Sequence, residues 1–277
     1  MFSRKLLILY IVLLSAVLVT MGILFYLQSV KTVHRDYQEI RKEGILRIVT
    51  EYDLSGYFIS ENKIEGFQYE LSKEIAELSG MEVLIYLEMS LEKSFEGLLA
   101  NKYDVVARNI PTTSELKEYY AFTEPIVLNR QVLVQRSRAN NNGIAPLRNH
   151  LELAGKTLYI PEASPVMQRL LNLQHEIGDT IHIVEKSLYS SEQLIIMVAK
   201  GDIDFTVSDL HTAQTAQKLY PEIDINTDIS FSQLQSWALR KDSPTLLDSL
   251  NHWINILRET GQFDRIYQEY YTPVSEK

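Results

Sequence analysis

The chain contains no cysteine among its 277 residues. A disulfide framework, a thiolate nucleophile, Cys-ligated zinc and an iron–sulfur cluster are therefore excluded, as is a lipid-modified cysteine behind a leader. Charge is absent from the N-terminal stretch, with no Asp, Glu, Lys or Arg between Lys5 and Lys31. Further on, positive charge is the scarcer kind. Residues 31–277 carry 25 basic and 36 acidic side chains, a net charge of −11. Nucleic-acid binding rests on neutralising phosphates, so it is a poor fit. Glycine and proline are few, 11 and 8, while 45% of residues are hydrophobic; such a composition packs rather than staying disordered. Catalytic signatures are missing too: there is no Walker loop, no Gly-x-Gly-x-x-Gly, no Gly-x-Ser-x-Gly and no His-Glu-x-x-His. The six histidines (His34, His150, His175, His182, His211 and His252) show no metal-ligand spacing. Neither an enzyme nor a bound cofactor or metal is expected.

What the N-terminus does have is apolar length. Leu6–Leu27 runs 22 residues, broken only by Ser15, Thr20 and Gly22. A hydrocarbon core about 30 Å thick takes about 20 apolar residues of helix, so residues 1–30 are expected to form a transmembrane segment. The far end, Leu24-Phe25-Tyr26-Leu27-Gln28, is too bulky for a small-x-small cleavage site. An uncleaved signal-anchor is therefore expected. Arg4 and Lys5 face Lys31, Arg35, Arg41 and Lys42 across the segment, so charge barely decides orientation. Long domains translocate largely regardless of charge, and the C-terminal region is placed outside the cytoplasm.

Residues 31–43 are highly charged and stop at Gly44, which reads as a short stalk helix. The 247 residues after position 30 fit two lobes better than one or three. Strands and helices then alternate. Strands are expected at Leu46–Thr50, Val83–Leu87 and Tyr103–Ala107, with helices at Tyr69–Leu78 and Ser94–Ala100 between them. After a polar loop, Ser137–Asn149, the rhythm resumes with strands at Thr157–Ile160, His182–Val184 and Ile203–Ser208. Helices at Pro165–Gln174 and Ser191–Ala199 separate them. This is an α/β pattern of βαβ units with mainly parallel sheets. A short internal repeat relates Leu98-Leu99-Ala100-Asn101-Lys102-Tyr103-Asp104 to Met197-Val198-Ala199-Lys200-Gly201-Asp202-Ile203-Asp204.

Ligands of open α/β sheets sit beyond the carboxyl ends of the strands. The residues found there are Glu51, Tyr52, Asp53 and Tyr57, then Arg108 and Asn109, then Ser164 with Pro165, then Asp209. Ser164-Pro165 suits a helix start, whose free N–H groups attract an anion; plain capping is the alternative. Arg108 can grip a carboxylate and Asp209 can accept from an ammonium, so together they suit a zwitterion. Each could equally face solvent or join an ion pair. Tyr52 and Tyr57 could cover an apolar part of a ligand, although most of the 16 tyrosines do nothing of the kind.

An ordered set of motifs spans about residues 44–272. It comprises Leu46-Arg47-Ile48-Val49-Thr50, Gly66-Phe67-Gln68-Tyr69-Glu70-Leu71, Ala121-Phe122-Thr123-Glu124-Pro125, Gly155-Lys156-Thr157, Gly201-Asp202-Ile203-Asp204 and Ala238-Leu239-Arg240-Lys241-Asp242. Leu257-Arg258-Glu259-Thr260-Gly261-Gln262-Phe263-Asp264-Arg265-Ile266 closes it. With these motifs the soluble region resembles the type II periplasmic solute-binding proteins of the polar amino-acid class. Within that class it is similar to the non-catalytic N-terminal module of the membrane-bound lytic transglycosylase F family. Gly66–Leu71 and the stretch from Asp204 to Leu219-Tyr220-Pro221-Glu222 carry that likeness, as do the membrane segment and charged stalk. The family's catalytic lysozyme-like module would follow the binding module. This chain ends at Lys277, and the expectation is the binding half alone.

The resemblance implies a two-lobed, hinged type II binding fold behind one N-terminal transmembrane helix. Lobe one would cover 44–133 and 236–277, and lobe two 137–232, with crossings near Gln131–Arg136 and Ser232–Trp237. It also implies that Asp209 holds a ligand ammonium and that Ser164 touches its carboxylate. The family's carboxylate-clamping arginine is replaced here by Leu116, in Thr113-Ser114-Glu115-Leu116. Arg108 is the substitute at hand, and a peptide-like ligand becomes more attractive. The expected function is a periplasmic binding domain anchored in the inner membrane, taking an amino acid, peptide or muropeptide without catalysis. The alternatives are the receptor subunit of an amino-acid ABC importer, partnered by a permease, and a cell-wall regulator acting on a cell-wall enzyme through protein contacts. A transglycosylase is the least expected reading.

Overall fold

The structure, a computed structural model, describes residues 10, 13–23, 35–53, 55–162 and 164–271. The chain divides into two units, 1–35 and 36–277. In the first, residues 13–23 are helical. Within the expected span Leu6–Leu27, residues 6–9, 11–12 and 24–27 lie outside the described residues. Among the described residues no helix is long and apolar enough to cross a membrane.

The second unit holds two sheets. Strands β1 (Ile45–Thr50), β4 (Glu82–Leu87), β5 (Val105–Pro111), β6 (Tyr120–Phe122) and β13 (Gln233–Arg240) form one, in the order β4-β1-β5-β13-β6. β7 (Val127–Asn129) pairs with the start of β13, and a separate hairpin joins β2 (Phe58–Ser60) to β3 (Lys63–Glu65). Strands β8 (Gln131–Arg136), β9 (Thr157–Pro161), β10 (His182–Lys186), β11 (Thr206–Asp209) and β12 (Ile223–Asp228) form the other, in the order β10-β9-β11-β8-β12. The two orders are one pattern. Three parallel strands are followed by an antiparallel strand and then by another antiparallel to it.

In each lobe the fourth strand arrives from the other lobe. β8 enters the second sheet straight from β7, and β13 enters the first sheet from β12. The crossings therefore lie at Arg130 and at Ile229–Ser232, just ahead of where the sequence suggests; Gln131–Arg136 is the exchanged strand itself. The crossing segments bond to each other. The N–H groups of Ile229 and Ser230 donate to the Gln131 carbonyl at 2.8 and 3.3 Å, and the Gln131 N–H donates to Ser230 Oγ at 2.9 Å. Arg130 Nε reaches Asp228 Oδ1 at 2.6 Å.

Each sheet is covered on both faces, as the two-residue period of a strand requires. In lobe one, Ile48, Trp237 and Leu239 face helices α2 (Phe67–Ser79), α8 (Pro244–Glu259) and α9 (Gln262–Tyr271). Val49, Val106 and Ala238 face α3 (Leu91–Leu99) and α4 (Ser114–Tyr119), with Leu116 packed at the edge of that cluster. In lobe two, Val132 and Val134 meet α6 (Ser191–Lys200) and α7 (Leu210–Leu219), while Leu133 meets α5 (Val166–Ile177).

The supposed stalk is partly built into lobe one. Helix α1 (Tyr37–Glu43) starts with a capping box in which Asp36 accepts from the Tyr37 N–H at 2.7 Å and Glu39 accepts from the Asp36 N–H at 3.3 Å. The same Asp36 carboxylate accepts from the N–H groups of Thr245 and Leu246 at 3.1 and 2.7 Å. It thus satisfies orphan donors of two helices at once. Ile40 is fully buried, so residues 37–43 are a packed helix rather than a free-standing one.

The short sequence repeat has a structural counterpart. At the end of β13, Arg240 Nη1 donates to the carbonyls of Leu98 and Tyr103 at 3.1 and 2.5 Å, and Nη2 lies 3.5 Å from Asp104 Oδ1. At the end of β8, Arg136 Nη1 donates to Val198 and Ile203 at 3.3 and 3.0 Å, and Nη2 reaches Asp204 Oδ1 at 2.6 Å. Asn101 and Gly201 both take the left-handed conformation that ends the preceding helix, with φ of 57° and 83°.

Candidate functional site

Across the interlobe cleft the carboxyl ends of β1 and β5 face that of β11, close enough for the charges of Asp53 and Asp209 to act on each other. After β1 the chain turns at Asp53. Its Oδ1 accepts from the Ser55 N–H at 2.7 Å, from Ser55 Oγ at 3.2 Å and from the Gly56 N–H. The turn is pinned to the start of α2, where Phe67 N–H donates to Ser55 O at 2.8 Å and Gln68 N–H to Gly56 O at 2.9 Å. The approach needs glycine. A Cβ on Gly66, whose φ is +130°, would lie 2.4 Å from the Gly56 carbonyl oxygen. This explains the Gly66-Phe67-Gln68 motif physically: a bare backbone, a core aromatic and an amide aimed inward.

Gln68 begins a buried relay. Trp237 Nε1 donates to Gln68 Oε1 at 2.6 Å, and Gln68 Nε2 donates to Asn109 Oδ1 at 2.8 Å. Asn109 Nδ2 then donates to the Tyr271 hydroxyl at 3.0 Å. The relay locks Asn109 from both sides, so its amide orientation is determined.

The sequence expectation ends the strand at Ala107, but β5 continues through Pro111. Antiparallel pairing of Ile110 and Pro111 with Ser236 and Gln235 extends the ladder. Arg108 and Asn109 are consequently strand residues. Arg108 donates through Nε to Glu51 Oε1 at 3.0 Å and through Nη2 to Glu51 Oε2, a bidentate pair, and Nη1 reaches the Met89 carbonyl at 3.4 Å. Its guanidinium is therefore already engaged. Leu116, packed against the lobe-one core, offers no cation in its place.

Across the cleft, Asp209 closes β11 and precedes α7, with Gln131 as its cross-strand neighbour. The Gln235 side chain lowers its pKa slightly, and among the described residues none forms an ion pair with it. Burial and the Asp53 charge push Asp209 up from the ordinary carboxylate range to about 7. Burial likewise pushes Asp53 up, against the pull of the Gly56 and Ser55 donors. Glu51 rises to about 7 through burial, with Asp53 and Glu192 adding to it and Arg108 opposing. Gln131 Oε1, Gln235 Oε1 and Ser208 Oγ are buried beside Asp209 without a protein hydrogen-bond partner.

The other expected residues are more peripheral. Ser164 Oγ accepts from the Val166 N–H at 3.3 Å, which is the capping reading, and helix α5 begins one residue later than expected. Tyr57 is buried edge-on against Tyr69 at 5.7 Å. Tyr52 is exposed. The structure thus gathers Arg108, Asn109 and Asp209 around the cleft with Glu51, Asp53, Gln68, His211 and Tyr271. Glu51 and Asp53 were visible at a strand end. His211 and Tyr271 carried no sequence signal beyond their residue type. A groove of about 500 Å³, lined by Arg130, Gln214, Lys218, Asn226 and Asp228, runs along α7 and β12. It is formed mainly by lobe two.

Comparison with known proteins gives consistent results. Residues 46–273 match the bacterial extracellular solute-binding proteins, family 3. The membrane-bound lytic murein transglycosylase F of Desulfosudis oleivorans is 31% identical over 236 residues, which are 85% of this chain and 50% of that protein. The chain thus spans about half the length of the curated relatives it matches. Among solved structures, a mutant of ArgBP from T. maritima is 25% identical with a TM-score of 0.72, covering 85% of this chain and 99% of that one. An ancestral arginine-binding protein bound to arginine is also 25% identical at 0.72, covering 82% and 98%.

Proposed function

The chain belongs to the bacterial extracellular solute-binding proteins, family 3, and from that premise we propose that its second unit binds an amino acid or short peptide between its lobes without transforming it. Asp209 carries this reading. A desolvated carboxylate facing a second carboxylate is poorly stabilised as an anion, and a ligand ammonium supplies the missing charge. Arg108 is available to a ligand carboxylate only in competition with Glu51. That favours ligands whose main handle is the amino group, peptides among them, including those of the cell wall. The run Leu6–Leu27 is long enough to tether the domain at the outer side of the cytoplasmic membrane. Likeness to transglycosylase F supports a cell-wall enzyme over a permease as the partner that responds to the ligand.

The test is ligand binding followed by calorimetry and thermal shift across amino acids and short peptides. A ligand at 100 times its Kd should stabilise the protein by about 2.7 kcal/mol. Asp209→Asn should remove that response while the variant remains folded. The folded pKa of Asp209 lies above the ordinary carboxylate value, so the protonated share grows as pH falls through 7. Protons then compete with the ammonium, and affinity should weaken about tenfold between pH 8 and pH 6. A panel without any thermal shift would sink the proposal, and a pH-independent affinity would remove Asp209 from it.

A further inference from the structure

We propose that Tyr271 is an internal occupant of the cleft, latching the two lobes together until a ligand ammonium displaces it. The inference rests on the ligand reading above and adds what stands in the cleft beforehand. Tyr271 is the last residue of α9, a lobe-one helix packed on α2 and α8. Its side chain nonetheless reaches lobe two, where its ring lies 4.4 Å from that of His211 on α7. On the lobe-one side it rests 4.7 Å from Phe67 and takes the Asn109 hydrogen bond at 3.0 Å. Only 4% of Tyr271 is exposed. Among the described elements, no helix of one lobe packs broadly on a helix of the other, which makes this contact the more conspicuous.

The chemistry of the position matches what a ligand would use. The Tyr271 hydroxyl accepts from Asn109 Nδ2 at 3.0 Å and lies in the field of Asp53 and Asp209. Burial and those carboxylates push the phenol strongly upward, so it stays a neutral O–H donor. A phenol can give one hydrogen bond where an ammonium gives three, and it brings no charge. The two carboxylates whose field reaches the hydroxyl are therefore left uncompensated in charge. A cationic ligand gains what the tyrosine cannot supply, and this difference in affinity is what shifts the population. Displacement moves the end of α9, so cleft occupancy is coupled to the chain at residue 271.

The absence of cysteine permits a direct experiment. Spin labels on Lys93→Cys in α3 and Lys200→Cys in α6 report the distance between the lobes. In ligand-free protein, Tyr271→Ala should move the distribution to longer distances, and Tyr271→Phe, which keeps the ring, should move it less. L-arginine should bind Tyr271→Ala about tenfold more tightly if the latch is closed nine-tenths of the time. Should Tyr271→Ala fail to fold, His211→Ala removes the lobe-two half of the contact, together with its edge contact to Tyr267 and its bond to the Leu128 carbonyl, and must open the same distances. Unchanged ligand-free distances in the folded variants overturn the latch, and an opened Tyr271→Ala that binds L-arginine no more tightly overturns the competition. If no variant binds any amino acid, the ligand reading fails, while the ligand-free distances still decide the latch.

Discussion

In lobe one, Arg240 is 5% exposed and its partner Asp104 is fully buried; in lobe two, Arg136 is 15% exposed and Asp204 is 69% exposed. The two arginines bind equivalent carbonyls at equivalent helix ends, so the architecture is shared and the solvent differs. In lobe one Asp104 also accepts the Arg47 N–H at 3.0 Å, which ties β1 to β5. In lobe two Asp204 points to water and makes no such tie. Lobe one further collects α1, α8 and α9 on one face, whereas lobe two is closed by its own three long helices. The comparison makes lobe one the more heavily buttressed of the two, with the lobes joined by two crossing segments. Hinge closure about such segments is a common response to ligand.

Replacing the buried member of the pair should break this picture most severely. Arg240→Ala strands Asp104 and two carbonyls away from water, and a loss of about 3–5 kcal/mol is expected. Urea denaturation followed by circular dichroism measures it; a loss below that of Arg136→Ala would invert the ranking of the lobes.

Asp36→Ala should cost about 2 kcal/mol, because one carboxylate caps two helices. Burial pushes Asp36 up, yet the N–H donors of Tyr37, Leu246 and Thr245 outweigh it and leave its pKa below the ordinary value. Its contribution is therefore present above the unfolded pKa and lost as pH falls through the folded one. Wild type and variant should converge in stability toward low pH, and parallel pH profiles would contradict the shared cap.

Arg136→Ala carries the smallest expected effect, about 1–2 kcal/mol, since water replaces the guanidinium at the exposed Asp204 carboxylate and only the Val198 and Ile203 carbonyls lose a donor. A melting curve sharpens the comparison: the transition should shift slightly without splitting. A separate early transition would mean that lobe two unfolds alone.

Much of the second unit was legible from local chemistry. The helix stop at Gly44, the helix starting at Ser191 and the alternation of strands and helices follow from backbone and burial rules that act within a few residues. So did half of the arginine device, as the repeat around Asp104 and Asp204. The arginines that complete it stand far away in sequence, and no local signal joins Arg240 to Leu98. The same limit governs the cleft. Arg108 read as a charge at a strand end, able to grip a ligand or to join an ion pair, because nothing nearby in sequence reveals that Glu51 faces it from the end of the neighbouring strand. Tyr271 was only the last aromatic of a C-terminal helix.

The sequence by itself determined the α/β class, the apolar N-terminal run, the exclusion of thiol and cysteine-metal chemistry, and Asp209 at the end of its strand. These depend on composition and on interactions between near neighbours. Only the tertiary structure decided which strand each lobe receives from the other, that Arg108 is engaged by Glu51, and that Tyr271 touches both lobes. Those are meetings of residues tens to hundreds of positions apart, fixed by strand register and helix packing, to which a linear pattern has no access.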